Sequence, residues 1–112
     1  MGRLAQPACL WTVGRIRSAW KASIKENNDI FAIVSRGGRP DLVTDIISEV
    51  KAPVLLIVGS LDEYVLELNR KAFSLIKSKK ELEVVKGATH LFEEPGTLEK
   101  VAELSSKWFI EN

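Results

Sequence analysis

Two stretches of this chain, Ile30-Phe31-Ala32-Ile33-Val34 and Val54-Leu55-Leu56-Ile57-Val58, are continuous apolar runs rich in β-branched residues. A strand with one wet face alternates apolar and polar residues. A run with no polar position must be covered on both sides, which is the signature of a parallel sheet between helical layers. The sequence around these runs supplies such layers. Val65, Leu68, Ala72, Leu75 and Ile76 recur at helical spacing after the second run and predict a helix ending near Lys79-Lys80, whose cations suit a helix C-terminus. Leu82-Glu83-Val84-Val85 reads as a third strand. Thr97 is placed to cap a last helix that turns Leu98, Val101, Ala102, Trp108 and Phe109 inward. A short helix is expected over 41–49. The fold class expected is α/β, a small three-layer unit with about three parallel strands flanked by helices.

The 112 residues fit one compact core, and with 46% hydrophobic and 28% charged side chains such a core can form. A net charge of +1 gives no pull toward nucleic acid or anionic membrane, and no apolar run is long enough to span a bilayer. One cysteine and one histidine make neither a disulfide nor a metal framework, so no cofactor or metal is expected and a reducing, cytoplasmic setting fits. Residues 1–28 are basic and poor in acids, as transit peptides are, but Val13, Ile16, Trp20 and Ile24 favour an amphipathic helix from about Ala8 to Lys25. Trp11, Trp20 and Trp108 fall on apolar faces and read as core anchors.

Parallel sheets carry their functional groups in loops at the carboxyl ends of strands. Here those loops are 35–39, 59–63 and 87–94. The second offers Asp62 and the third His90, so a carboxylate and an imidazole are expected on one sheet edge, within reach of each other. Asp62 could equally cap the helix that follows it, and His90 could be a loop histidine bonded to backbone. Arg36 and Arg39, beside Gly37-Gly38, could hold a carboxylate or phosphate, or could be solvated. Lys77 to Lys80 reads as a solvated helix end.

The segments Lys51 to Asp62 and Gly87-Ala88-Thr89-His90-Leu91-Phe92, with Pro95-Gly96, resemble the acid strand and the histidine loop of α/β-hydrolases. Ser35-Arg36-Gly37-Gly38-Arg39-Pro40-Asp41 is similar to a stretch of the dienelactone-hydrolase-like branch. The resemblance covers about Ile30 to Asn112 and implies the C-terminal half of that fold, with Asp62 as the acid and His90 as the base of an ester- or lactone-cleaving triad. It implies residues 1–112 as a single, truncated domain, 1–28 its N-terminal helix and 29–112 its hydrolase-like core. The family's Gly-x-Ser-x-Gly or Gly-x-Cys-x-Gly elbow is nowhere in the chain. Cys9 and Ser35 are the remaining candidates. Pro7 and Trp11 stand where the elbow glycines would flank Cys9, favouring a buried thiol on a helix, and Ser35 reads as a turn residue. The chain is then an ester hydrolase half lacking its nucleophile, a non-catalytic remnant or interaction module, or one half of a split hydrolase completed by another chain.

In the complete fold the strand at Ile30 to Val34 pairs with the strand bearing the nucleophile. Without that neighbour it would expose an apolar edge. A homodimer through this edge, or by exchange of N-terminal helices, is therefore expected.

Overall fold

The computed structural model describes residues 9–11 and 32–112. Its centre is a parallel sheet of β1 (Cys9–Trp11), β2 (Ile33–Arg36), β3 (Val54–Gly59) and β4 (Lys80–Val85), arranged in that order. Helix α1 (Glu63–Phe73) joins β3 to β4, and α2 (Thr97–Glu111) follows β4.

Every residue of β3 is buried, as its unbroken apolar run requires. Its alternating side chains feed two cores. Val54 and Leu56 join Ile33, Val43, Ile47, Ala72 and Ile76 beneath α1, while Leu55 and Ile57 join Val34, Phe92, Val101 and Trp108 beneath α2. Val58 packs with Val65 and Leu66 at the start of α1. Each such side chain taken wholly from water contributes roughly 1.5–3 kcal/mol, so β3 is the principal anchor of the fold. The expected three-layer α/β unit is what forms.

Several local expectations are corrected. Residues 9–11, placed on a helix by the sequence reading, form a strand paired with β2 through Cys9↔Ile33, Leu10↔Val34 and Trp11↔Ser35. The helical stripe of the sequence begins only at Val13, so an expected helix from Ala8 reaches too far toward the N-terminus; the remainder of that expectation lies outside the described residues. Cys9 is accordingly a strand residue. The second strand runs Ile33–Arg36 and takes in Ser35, expected in a turn. It pairs on both sides, with β1 and with β3, so the open edge expected to carry the homodimer is closed, and among the described residues the outer strands of the sheet are β1 and β4.

The helix expected over 41–49 is two 3-10 turns, Pro40–Val43 and Ile47–Glu49, separated where Ile46 takes φ −123°. Helix α1 stops at Phe73, short of the expected end, and Lys80 belongs to β4. Its ammonium still serves the helix end, donating to the Phe73 carbonyl at 2.9 Å. Thr97 is the first residue of α2 rather than its cap; Gly96, at φ +83°, precedes it. No helix among the described residues is long and apolar enough to cross a membrane.

Candidate functional site

Strands β3 and β4 run in register from Val54↔Lys80 to Gly59↔Val85, so the loops that follow them leave the same edge side by side. They are then bonded to each other. Ser60 N–H donates to Val85 O at 3.0 Å, Leu61 N–H to Ala88 O at 3.0 Å, and Gly87 N–H to Ser60 Oγ at 2.8 Å. Gly59 makes this approach possible. A Cβ there would lie 2.7 Å from the Ala88 carbonyl carbon, 2.9 Å from Thr89 O and closer still to Ala88 O, all of it backbone.

The two loops deliver Asp62 and His90 into contact, with Nδ1 of His90 2.7 Å from Oδ2 of Asp62. The Asp62 side chain is 14% exposed and that of His90 42%, so the carboxylate is largely covered and the imidazole open on one side. Asp62 precedes α1 but makes no side-chain capping bond. Its carboxylate faces the imidazole instead, while its main-chain carbonyl accepts from Leu66 N–H at 2.8 Å. A carboxylate can only accept, so the neutral ring carries its proton on Nδ1 and keeps the Nε2 lone pair for another proton.

Strand β2 supplies the floor. Gly37, at φ +60°, follows the strand so closely under the ring that a Cβ would stand 3.4 Å from His90 O and 3.5 Å from Cε1 and Nδ1. The turn at Gly38 is tied to α1 by the wholly buried Asn69, whose Nδ2 donates to Gly38 O at 3.1 Å and Val65 O at 2.8 Å. The histidine loop has its own ties. Phe92, a non-glycine residue at φ +55°, is held by a side chain only 2% exposed, and both hydrogen-bond donors of Thr89 go to the Glu94 carboxylate.

The arginines are occupied locally. Arg39 makes a two-pronged pair with Asp41, Nε to Oδ1 and Nη2 to Oδ2 at 2.9 Å each, with its guanidinium carbon 5.8 Å from the Tyr64 ring centre. That hydrogen bond holds its pKa above the ordinary arginine value. Arg36 lies over Phe92, its guanidinium carbon 5.9 Å from the ring centre. Leu61, Tyr64 and Leu91, all exposed, give the site an apolar rim.

Neither candidate nucleophile meets the pair. Cys9 is level with Ile33, four residues before Gly37, or about 13 Å along the strand at roughly 3.3 Å per residue. Ser35 is 0% exposed, and its hydroxyl has no partner. The sequence marks Gly37 as a loop glycine beside Arg36 and Arg39 but not as a neighbour of His90, and it gives Gly59, Asn69 and the Thr89–Glu94 link no role in the site. A glycine closing an apolar strand was the one available signal among them. No group of three or more His, Cys, Asp or Glu side chains suited to a metal ion occurs among the described residues.

No protein-family model matches the chain. Two curated relatives, both named "Putative phosphoribosyl transferase" and from two strains of Mycobacterium tuberculosis, are 60% identical over 84 residues, which is 75% of this chain and 19% of theirs. A dienelactone hydrolase from Anabaena variabilis, known from its crystal structure, is 41% identical with a TM-score of 0.86, over 91% of this chain and 47% of that one. The chain thus spans about half the length of that hydrolase and a fifth of the mycobacterial relatives. Its fold is dienelactone-hydrolase-like.

Proposed function

We propose that this chain is the acid-and-histidine half of a dienelactone-hydrolase-like ester or lactone hydrolase, corresponding to the C-terminal part of the fold, with the nucleophile supplied from outside the described residues. The observation that carries the reading is the 2.7 Å contact between Asp62 and His90 at the carboxyl edge of the parallel sheet. In the reaction, Nε2 of His90 takes the proton of a hydroxyl or thiol as that group attacks the substrate carbonyl. Asp62 holds the ring in the Nδ1–H tautomer and stabilises the imidazolium that forms. The proton then passes to the departing alkoxide, and water releases the acyl group by the same route.

The transferase name of the mycobacterial relatives belongs to proteins about five times as long as the matched segment. A carboxylate–imidazole pair is the machinery of acyl transfer, and it favours the hydrolase reading for this portion. A second reading, an interaction module without catalysis, draws support from the distance of Cys9 and the burial of Ser35. Self-association through the sheet remains part of the proposal, but its place moves from β2 to the edge at β1.

Mixing the chain with the nucleophile-bearing half of a dienelactone hydrolase and following p-nitrophenyl acetate tests the reading. Hydrolysis is expected to appear on mixing and to be lost in His90→Ala. A rate no greater than that of the two halves measured apart, or one indifferent to His90→Ala, overturns it.

A further inference from the structure

We infer that Glu94 is a positioning residue for His90, acting through Thr89 as a clasp that closes the histidine loop. Thr89 immediately precedes the histidine. Its N–H donates to Oε1 of Glu94 at 3.0 Å and its hydroxyl donates to Oε2 at 2.5 Å, so one carboxylate takes both of its donors. The same glutamate is fixed from behind, since its carbonyl accepts from Thr97 N–H at 3.1 Å and from Thr97 Oγ1 at 2.8 Å at the first residue of α2. Inside the ring so formed, Phe92 N–H returns to Thr89 O at 3.1 Å, and the Phe92 side chain is sunk in the α2-side core. His90 therefore sits in a six-residue loop whose front is joined to its back, and whose back is joined to a helix.

Without the clasp, Thr89, His90, Leu91 and Glu93 are all exposed, and the Gly59 contact on one side and the Phe92 anchor on the other are what remain to hold them. An imidazole that must keep Nδ1 on Asp62 while presenting Nε2 needs its backbone held to a fraction of an ångström. The carboxyl of Glu94 is kept below the ordinary glutamate value chiefly by the Thr89 side-chain hydrogen bond, then by that from the Thr89 backbone, so the acceptor stays ionised at neutral pH. Glu94 touches neither substrate nor the reacting atoms. It acts on the position of His90.

The inference rests on the acid–histidine reading above, and its test separates the two. The chain has a single histidine, so the ¹⁵N shifts of its ring, read at a pH where the ring is neutral, report the tautomer of His90 alone. In the unaltered chain the Nδ1–H form should predominate. Glu94→Ala should shift the ring toward the Nε2–H form preferred by free imidazole, with the sheet amide signals retained. Glu94→Gln, which can still accept from Thr89 N–H, should keep most of the Nδ1–H form, and Thr89→Val, which keeps that N–H but lacks the hydroxyl, should fall between. In the complemented assay Glu94→Ala should lower kcat about 10-fold or more, with KM little changed. A tautomer ratio unchanged in both Glu94→Ala and Thr89→Val, with Asp62→Asn still abolishing the Nδ1–H form, overturns the clasp and leaves the acid–histidine pair standing. An Nδ1–H form absent from the unaltered chain overturns both.

Discussion

Gly59→Ala should uncouple the acid from the histidine while leaving each on its own strand. The added methyl would stand 2.7 Å from the Ala88 carbonyl carbon, 2.9 Å from Thr89 O and closest of all to Ala88 O, so the histidine loop must retreat by about 1 Å or more to regain ordinary contact. Every colliding atom is backbone, and no flexible side-chain end can turn aside. The same retreat stretches the bonds from Leu61 N–H to Ala88 O and from Gly87 N–H to Ser60 Oγ. Overpacking costs about 1–3 kcal/mol, and each of the two weakened hydrogen bonds up to about 1 kcal/mol more, giving a total of about 1–5 kcal/mol. For a domain near this size that lowers Tm by roughly 4–8 °C per kcal/mol. The functional loss is larger than the structural one. A loop displaced by this amount takes the 2.7 Å Asp62–His90 contact to about 3.7 Å, beyond the usual N–H···O range, and a misplacement of that order costs up to about 100-fold in rate. Urea unfolding gives the first quantity and the ¹⁵N tautomer of His90 the second. A variant within about 0.5 kcal/mol of the parent that retains its Nδ1–H tautomer would refute the close-approach argument.

Asn69→Asp should cost about 3–5 kcal/mol in a urea titration, because it faces the Gly38 and Val65 carbonyls with a wholly buried carboxylate in place of the amide that donates to both. Trp108→Ala should cost about 3–5 kcal/mol by the same measurement, since the ring fills the α2-side core and its N–H reaches Pro53 O at 3.4 Å. Glu94 sets a pH dependence. Its folded pKa lies below the unfolded value near 4.5, so its contribution to stability is present above that value and fades as pH falls through the folded pKa. Denaturation midpoints of the parent and of Glu94→Gln, taken from pH 7 to pH 3, should differ by a constant amount above about pH 4.5 and converge below it.

The elements legible in the sequence are those whose cause is local. An unbroken run such as Val54 to Val58 can only be a strand covered on both faces, and the rule that functional loops follow strand ends then puts Asp62 and His90 on one edge. What escaped was set by partners that no local period marks. Cys9–Trp11 is too short to show a period of its own and lies against a helical stripe, so only the unsatisfied side of β2 could reveal it as a strand. Asp62 had two local futures, a helix cap and a histidine partner, and the choice depended on how near the backbone of Ala88 could come. The Thr89–Glu94 link spans five residues of irregular loop, a spacing no helix or strand period marks. Lys80 was read for its charge alone, which gave its effect on the helix end correctly and its element wrongly.

The geometry also explains how an acid–histidine pair can be whole while its nucleophile is not in view. Asp62 and His90 hang from neighbouring strands, β3 and β4, and the bonds that fix their loops run among residues 59–97. From β2 they need only the turn at Gly37, where an added Cβ would lie 3.5 Å from the ring. That proximity places His90 not over its own strand but two strands across the sheet, above the end of β2. The next strand is β1, where the resemblance puts the nucleophile-bearing strand of the complete fold, at a spacing of about 4.8 Å. Cys9, at the opposite end of β1, has the right strand and the wrong level; Ser35 has nearly the right level but is sealed in the core. The Asp62–His90 contact is thus a product of β3, β4 and their loops with the turn at Gly37, and the proposed hydrolysis rests on what stands at the far end of the neighbouring strand.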